Sequence, residues 1–98
     1  MKKLEPIHPG EILSEEFLNP LDISPSKLSE DTGISLEEIE SIINCQHSIS
    51  SNAALRLSLY FGLSERFWVN LQSRFDLETE KDKVADILKK EVRILQAA

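Results

Sequence analysis

A single cysteine, Cys45, stands in the 98 residues, so neither an internal disulfide framework nor a multi-thiolate metal site is available. A free thiol of this kind points to a reducing compartment. The chain also lacks an apolar run of membrane-spanning length, and no basic segment followed by an apolar stretch opens it, so neither a spanning helix nor a secretory leader is expected. These absences predict a cytoplasmic protein with no membrane partner. The two histidines, His8 and His47, flank no metal-ligand constellation. Cys45 and His47 lie two apart in a loop, a weak spacing for nucleophilic chemistry, and no carboxylate has a distinctive partner spacing. No enzyme activity, cofactor or metal is expected.

Positive charge is scarce as well. The chain has 11 Lys and Arg against 17 Asp and Glu, a net charge of −6. Nonspecific DNA binding depends on neutralising phosphates, so an acidic chain starts at a disadvantage unless its cations share one face. Residues 27–50 hold one Lys and five acidic residues, a balance of −4, whereas residues 51–75 hold three Arg and one Glu, a balance of +2.

What is present suits one domain, residues 1–98. The hydrophobic fraction of 41% and charged fraction of 29% are those of an ordinary globule, and no linker or repeat divides the chain. Leu13 and Phe17, four apart and joined by Ile12, predict a helix that Pro20 ends, because proline lacks the backbone donor and clashes with the preceding turn. Ser24 caps a second helix with Pro25 in its first position and Leu28 facing inward. Gly33 closes it in the left-handed conformation. Ser35 caps a third helix, with Glu38 returning the capping-box bond and Ile39, Ile42 and Ile43 forming its buried stripe. A polar loop, 44–50, leads to a helix from Asn52 to Phe61 whose Leu55 and Leu59 predict enclosure on several sides. Gly62 stops it, and Ser64 starts another that carries Phe67, Leu71 and Phe75 at i,i+4 spacing beside Trp68. Thr79 and Asp82 are a plausible cap for a final amphipathic helix, 79–98. The expectation is an all-α bundle of five to six helices.

In "PSKLSEDTGISLEEIESI" two short helices meet at a tight turn. Leu28 anchors the first, Ser29 is small where the helices approach, and Ile34 covers the junction. Such a pair sets one helix across a DNA backbone and the other in the major groove; the same spacing also fits a helical hairpin with no nucleic-acid role.

The motifs "HPGEIL", "EEFLNPL", the Gly33 turn, "NAALRLSLYFG" and above all "FWVNLQSRFDLE" make residues 7 to 78 resemble the HigA-type antitoxins of the Xre-like helix-turn-helix group. The resemblance implies a lambda-repressor-like, all-α homodimer that represses its own operon by binding double-stranded operator DNA. It also implies a partner, a HigB-type toxin that cleaves messenger RNA. This chain departs from the family at the expected reading surface. Members usually show Ser-Arg-Pro-Thr where Ser35, Leu36, Glu37 and Glu38 stand, and Asn-Gly-Lys-Arg where Asn44, Cys45, Gln46 and His47 stand. Leu36 makes no bidentate contact to guanine, and Glu37 accepts from cytosine N4 but is repelled by phosphate.

The DNA-contact candidates are Ser26 and Lys27, in the first turn of the backbone-crossing helix, then Ser35, Glu37, Ser41, Asn44, Gln46 and His47. Each has a plainer role: Ser35 as a cap, Asn44 as a helix terminator, Glu37 on a solvated face, His47 as an exposed loop residue. Trp68 and the nearby phenylalanines read as core and dimer interface. Glu11, Glu15 and Glu16 on the first helix, or the helix beyond Thr79, are the expected surfaces for a basic toxin. The main alternative is a protein-interaction module that keeps this scaffold with little or no operator binding; a solitary transcription regulator would have the same sequence features.

Overall fold

Ser24, Ser35, Gly33 and Gly62 divide the chain where the sequence placed them. A computed structural model describes residues 5–96; the ends of the expected domain (1–4 and 97–98) and of the expected final helix lie outside the described residues. Among the described residues there are five helices and no strand. We number them α1 (residues 9–21), α2 (Pro25–Thr32), α3 (Leu36–Ile43), α4 (Ser51–Phe61) and α5 (Arg66–Glu91). Ser24, Ser35 and Ser50 each accept a hydrogen bond at 3.1 Å from the backbone N–H three residues on, satisfying one of the orphan donors of a helix start. Only the serine half of the Ser35–Glu38 box forms. Gly33 (φ 79°) and Gly62 (φ 70°) close α2 and α4.

Two boundaries differ from the sequence expectation. Pro20 lies inside α1 rather than beyond it. The helix begins in α geometry over Pro9–Ile12, widens to π geometry over Leu13–Leu18 and continues through Asn19–Leu21. A proline ring clashes with the carbonyl four residues earlier in an ordinary α-helix; here Asn19 N–H reaches back five residues to the Ser14 carbonyl, and the wider turn accommodates the ring. The helix stops at Asp22 (φ 55°), with Ile23 N–H bonded to the Leu18 carbonyl at 2.9 Å. The second difference is that α5 runs unbroken through Thr79 and Asp82. No Gly or Pro interrupts residues 66–91, so the helical ladder continues past the potential cap.

Trp68 is fully buried with Leu13, Leu28, Ile39, Ile42 and Leu57. Each large apolar side chain so buried contributes about 1.5–3 kcal/mol. Phe17, Phe61 and Phe67 surround the indole, with ring centroids 5.2, 6.3 and 5.1 Å away. The aromatic mass of α5 therefore serves this chain's own core. Leu55 and Leu59 do not: α4 buries Ala53, Ala54, Leu57 and Ser58, and its period turns the two leucines outward, Leu59 to 84% exposure.

The end of α3 closes on a cysteine. Cys45 has φ 61°, its N–H bonds to the Ile42 carbonyl at 3.0 Å and Gln46 N–H to the Ser41 carbonyl at 2.9 Å, the hydrogen-bond pattern that usually places glycine in the left-handed position. A side chain there costs about 1–2 kcal/mol. Cys45→Gly should therefore stabilise the fold by about 1 kcal/mol and raise the thermal midpoint by about 4–8 °C. A circular-dichroism melt with an unchanged or lower midpoint would contradict this.

Candidate nucleic-acid interface

The helix-turn-helix formed by α2 and α3 is held by side chains from both sides of its turn. Gly33 N–H bonds to the Ser29 carbonyl at 2.9 Å, and Ser29 Oγ donates to the Ile34 carbonyl at 2.6 Å. Thr32 Oγ1 donates to the Leu28 carbonyl at 2.6 Å and accepts from Ile34 N–H at 3.2 Å. Beneath the turn, Arg56 donates through Nη1 to the Thr32 carbonyl and through Nε to Asn52 Oδ1, both at 2.8 Å. A cation at a helix C-terminus is favourable, so Arg56 steadies the end of α2. A Cβ at Gly33 would lie 2.7 Å from Arg56 Nη1, the movable end of a long side chain; it is the positive φ that calls for glycine there. Arg56, Arg66 and Arg74 are the three arginines behind the positive balance of residues 51–75, two of which the sequence offered for pairing with neighbouring carboxylates. Arg74 pairs in this way with Glu78 at 2.9 Å, whereas Arg56 is taken up by Asn52 and the Thr32 carbonyl.

Four of the predicted contact residues come together. Ser35, Glu37, Ser41 and His47 line one shallow depression of about 260 Å³ with Glu38. Ser35 Oγ is engaged as the cap. Asn44 and Gln46 are exposed on the turn that closes α3. Ser26 and Lys27 are exposed on the first turn of α2, separate from that depression. The Lys27 ammonium is 3.1 Å from Asp31 Oδ2, which also accepts the Tyr60 hydroxyl at 3.0 Å. The Asp31 hydrogen bond raises the Lys27 pKa, while Lys27 and then Tyr60 hold the Asp31 carboxyl below its ordinary value.

The loop after α3 is tied down by two residues whose part the sequence did not reveal. Gln72 accepts Ile49 N–H at 2.8 Å and donates to Asp76 Oδ1 at 2.9 Å. His8 caps α1 by accepting Gly10 N–H on Nδ1 at 2.9 Å, packs edge-on against Phe75 with centroids 4.9 Å apart, and is hydrogen-bonded to the His47 backbone. Gly10 lies so close to α3 that a Cβ there would collide with the Ile42 carbonyl.

This geometry recurs in known proteins. Pseudomonas aeruginosa antitoxin HigA, solved with the higBA promoter, superposes with a TM-score of 0.90 at 40% identity, covering 94% of this chain and 100% of that one. Antitoxin HigA-1 of Vibrio cholerae is 32% identical over 75 residues, 76% of this chain and 70% of the relative. The chain belongs to the HigA family of helix-turn-helix antitoxins. Virulence-associated protein I of Dichelobacter nodosus is 42% identical over 78 residues, 79% of this chain and 72% of that protein. No protein-family model matches the chain. Membership of the HigA family places it among antitoxins and transcription regulators rather than enzymes. No helix of the described residues is long and apolar enough to cross a membrane.

His8 gives this HigA relative a pH-dependent clamp. Burial, above all, lowers its pKa from 6.5, against the opposing pull of the His47 backbone bond and the Asp76 charge. The native state therefore takes up this proton at lower pH than the unfolded chain does. The contribution is complete above the unfolded value and is lost as pH falls through the depressed native one. His8→Asn keeps a capping oxygen without a titrating ring. Its urea midpoint should fall less than the wild type's between about pH 7.5 and about pH 5.5; equal falls would remove His8 as the cause.

Proposed function

We propose that this chain is the antitoxin of a type II toxin–antitoxin module, a cytoplasmic homodimer that binds its own operator and neutralises a HigB-type mRNA-cleaving toxin. The observation that carries the reading is the rigidly capped α2–α3 pair, on a scaffold that superposes on a HigA solved with promoter DNA. A twofold dimer would set two α3 helices about 34 Å apart, facing successive major grooves of a palindromic operator. Ser26, Lys27 and the helix N-termini position the backbone, and Ser41, Asn44, Gln46 and His47 supply polar contacts. Ser35 serves as cap beside phosphate.

Glu37, Glu38 and Glu40 suppress nonspecific binding, because too few cations remain nearby to displace many counterions. The expected behaviour is weak binding to random DNA and measurable binding to one inverted repeat near the gene's own promoter. A low-salt titration of native promoter against scrambled DNA tests this. Asn44→Ala should weaken specific binding, by about 1–3 kcal/mol if it reaches a base edge. Glu37→Arg should strengthen binding to both DNAs and narrow the difference between them. Absence of any preference for the promoter would leave the protein-interaction reading in front, which the −4 balance of residues 27–50 favours.

The toxin half rests on acidic, exposed Glu11, Glu15 and Glu16 along α1, which complement a basic protein that must itself attract RNA. Co-expression with the adjacent gene should yield a complex and relieve that product's growth toxicity. Neither a complex nor relief would count against the pairing.

A further inference from the structure

The acidic face of α3 has a direction as well as a charge. Each residue turns about 100° around a helix, so Glu37 stands about 160° from buried Ile39 and about 140° from buried Ile42. It points away from the core, in the first turn of α3, and it is exposed. Glu38, about 40° from Ile42 on the same wheel, is half-buried. Leu36 precedes Glu37 at the first helical position, on the flank of the outward face, and is 38% exposed. The Glu37 carboxylate has no hydrogen bond or ion pair among the described residues. Asp31 of α2, by contrast, is held by both Lys27 and Tyr60. Lys27 is the single cation of residues 27–50, so that pairing leaves nothing nearby to offset Glu37.

A carboxylate accepts hydrogen bonds and donates none. Phosphate repels it, and the four bases answer it unequally. In the major groove guanine shows the acceptors N7 and O6, and thymine the acceptor O4. Adenine sets its N6 donor beside the acceptor N7, whereas cytosine shows the N4 donor alone. Cytosine is therefore the base edge that meets a carboxylate without an acceptor of its own. Leu36 offers apolar contact only, which matches the C5-methyl of thymine. Successive Cα atoms lie about 3.8 Å apart, close to the step of roughly 3.4 Å between base pairs. The two side chains can thus address neighbouring pairs.

We propose that Glu37 is a specificity-determining residue: its carboxylate accepts from the N4 amino group of a cytosine in each operator half-site, and Leu36 packs on the methyl of a thymine in the adjoining base pair. The proposal rests on the operator-binding reading above and names two of the bases that its half-site holds. It gives the acidic face a positive role. Repulsion from phosphate weakens binding to all DNA alike, while the contact to N4 is regained only at the matching sequence. One carboxylate then widens the gap between operator and random DNA from both sides.

The test uses duplexes carrying the promoter's inverted repeat, with each base pair replaced in turn, symmetrically in both half-sites, and titrated at low salt. Wild type should prefer cytosine at one symmetric position, losing about tenfold with guanine or thymine there. Glu37→Gln should move that preference to adenine, because an amide pairs with N6 and N7 together. Glu37→Ala should flatten it. Uracil in place of the neighbouring thymine removes only the methyl; it should weaken wild type about fourfold per half-site and leave Leu36→Ala unaffected. These substitutions fall at exposed positions and keep the Ser35 cap. A purely electrostatic role for Glu37 gives a different result, in which Gln and Ala strengthen binding to every duplex equally. That result, a repeat with no cytosine-preferring position, or a preference unchanged by both substitutions overturns the proposal and leaves operator binding standing. Indifference of wild type to uracil overturns the Leu36 contact. A wild-type chain with no preference for the promoter over scrambled DNA overturns the operator reading and this proposal together.

Discussion

Gly10 brings the backbone of α1 directly against the Ile42 carbonyl near the end of α3, and the presentation of the candidate reading helix depends on that approach. A side chain at residue 10 would force the two helices apart. The approach in turn sets His8 beside Phe75 and the His47 backbone, so that the cap of the first helix also pins the loop following the third. Gln72 holds the same loop from α5 through the Ile49 amide. Backbone polar groups buried away from water need partners, and here meeting that need also immobilises the loop that carries Gln46 and His47.

The turn between α2 and α3 is secured as firmly, by Ser29, Thr32 and Arg56. The geometry of a DNA reader is thus maintained although the surface it presents is acidic. Even Lys27, the single cation of residues 27–50, is paired with Asp31, which is itself anchored by Tyr60. A phosphate must displace that carboxylate to gain the full charge of the ammonium. Scaffold and surface chemistry are separable here: packing specifies the first, and a few exposed side chains specify the second.

Legibility in the sequence followed the range of the interactions. Serine caps, left-handed glycines and the Ile39–Ile42 stripe were readable because each depends on residues three or four apart. Pro20 misled because a local rule, that proline ends a helix, was overridden by a π-widened turn. Thr79 and Asp82 misled because a good capping pair loses to an uninterrupted helical ladder. Leu55 and Leu59 were read as enclosed, yet only one face of α4 meets the core.

The sequence by itself determined the helical class, most helix boundaries, the tight α2–α3 turn and the charge of the expected reading face, all properties of near neighbours or of composition. Tertiary structure alone decided which apolar residues stay in water, that Ser35, Glu37, Ser41 and His47 share one depression, and that His8, Gln72 and Arg56 act as clamps. Those outcomes depend on contacts between residues that are distant along the chain, some more than 20 positions apart (Ile49–Gln72, Thr32–Arg56), and no local pattern encodes which remote partner a side chain will meet.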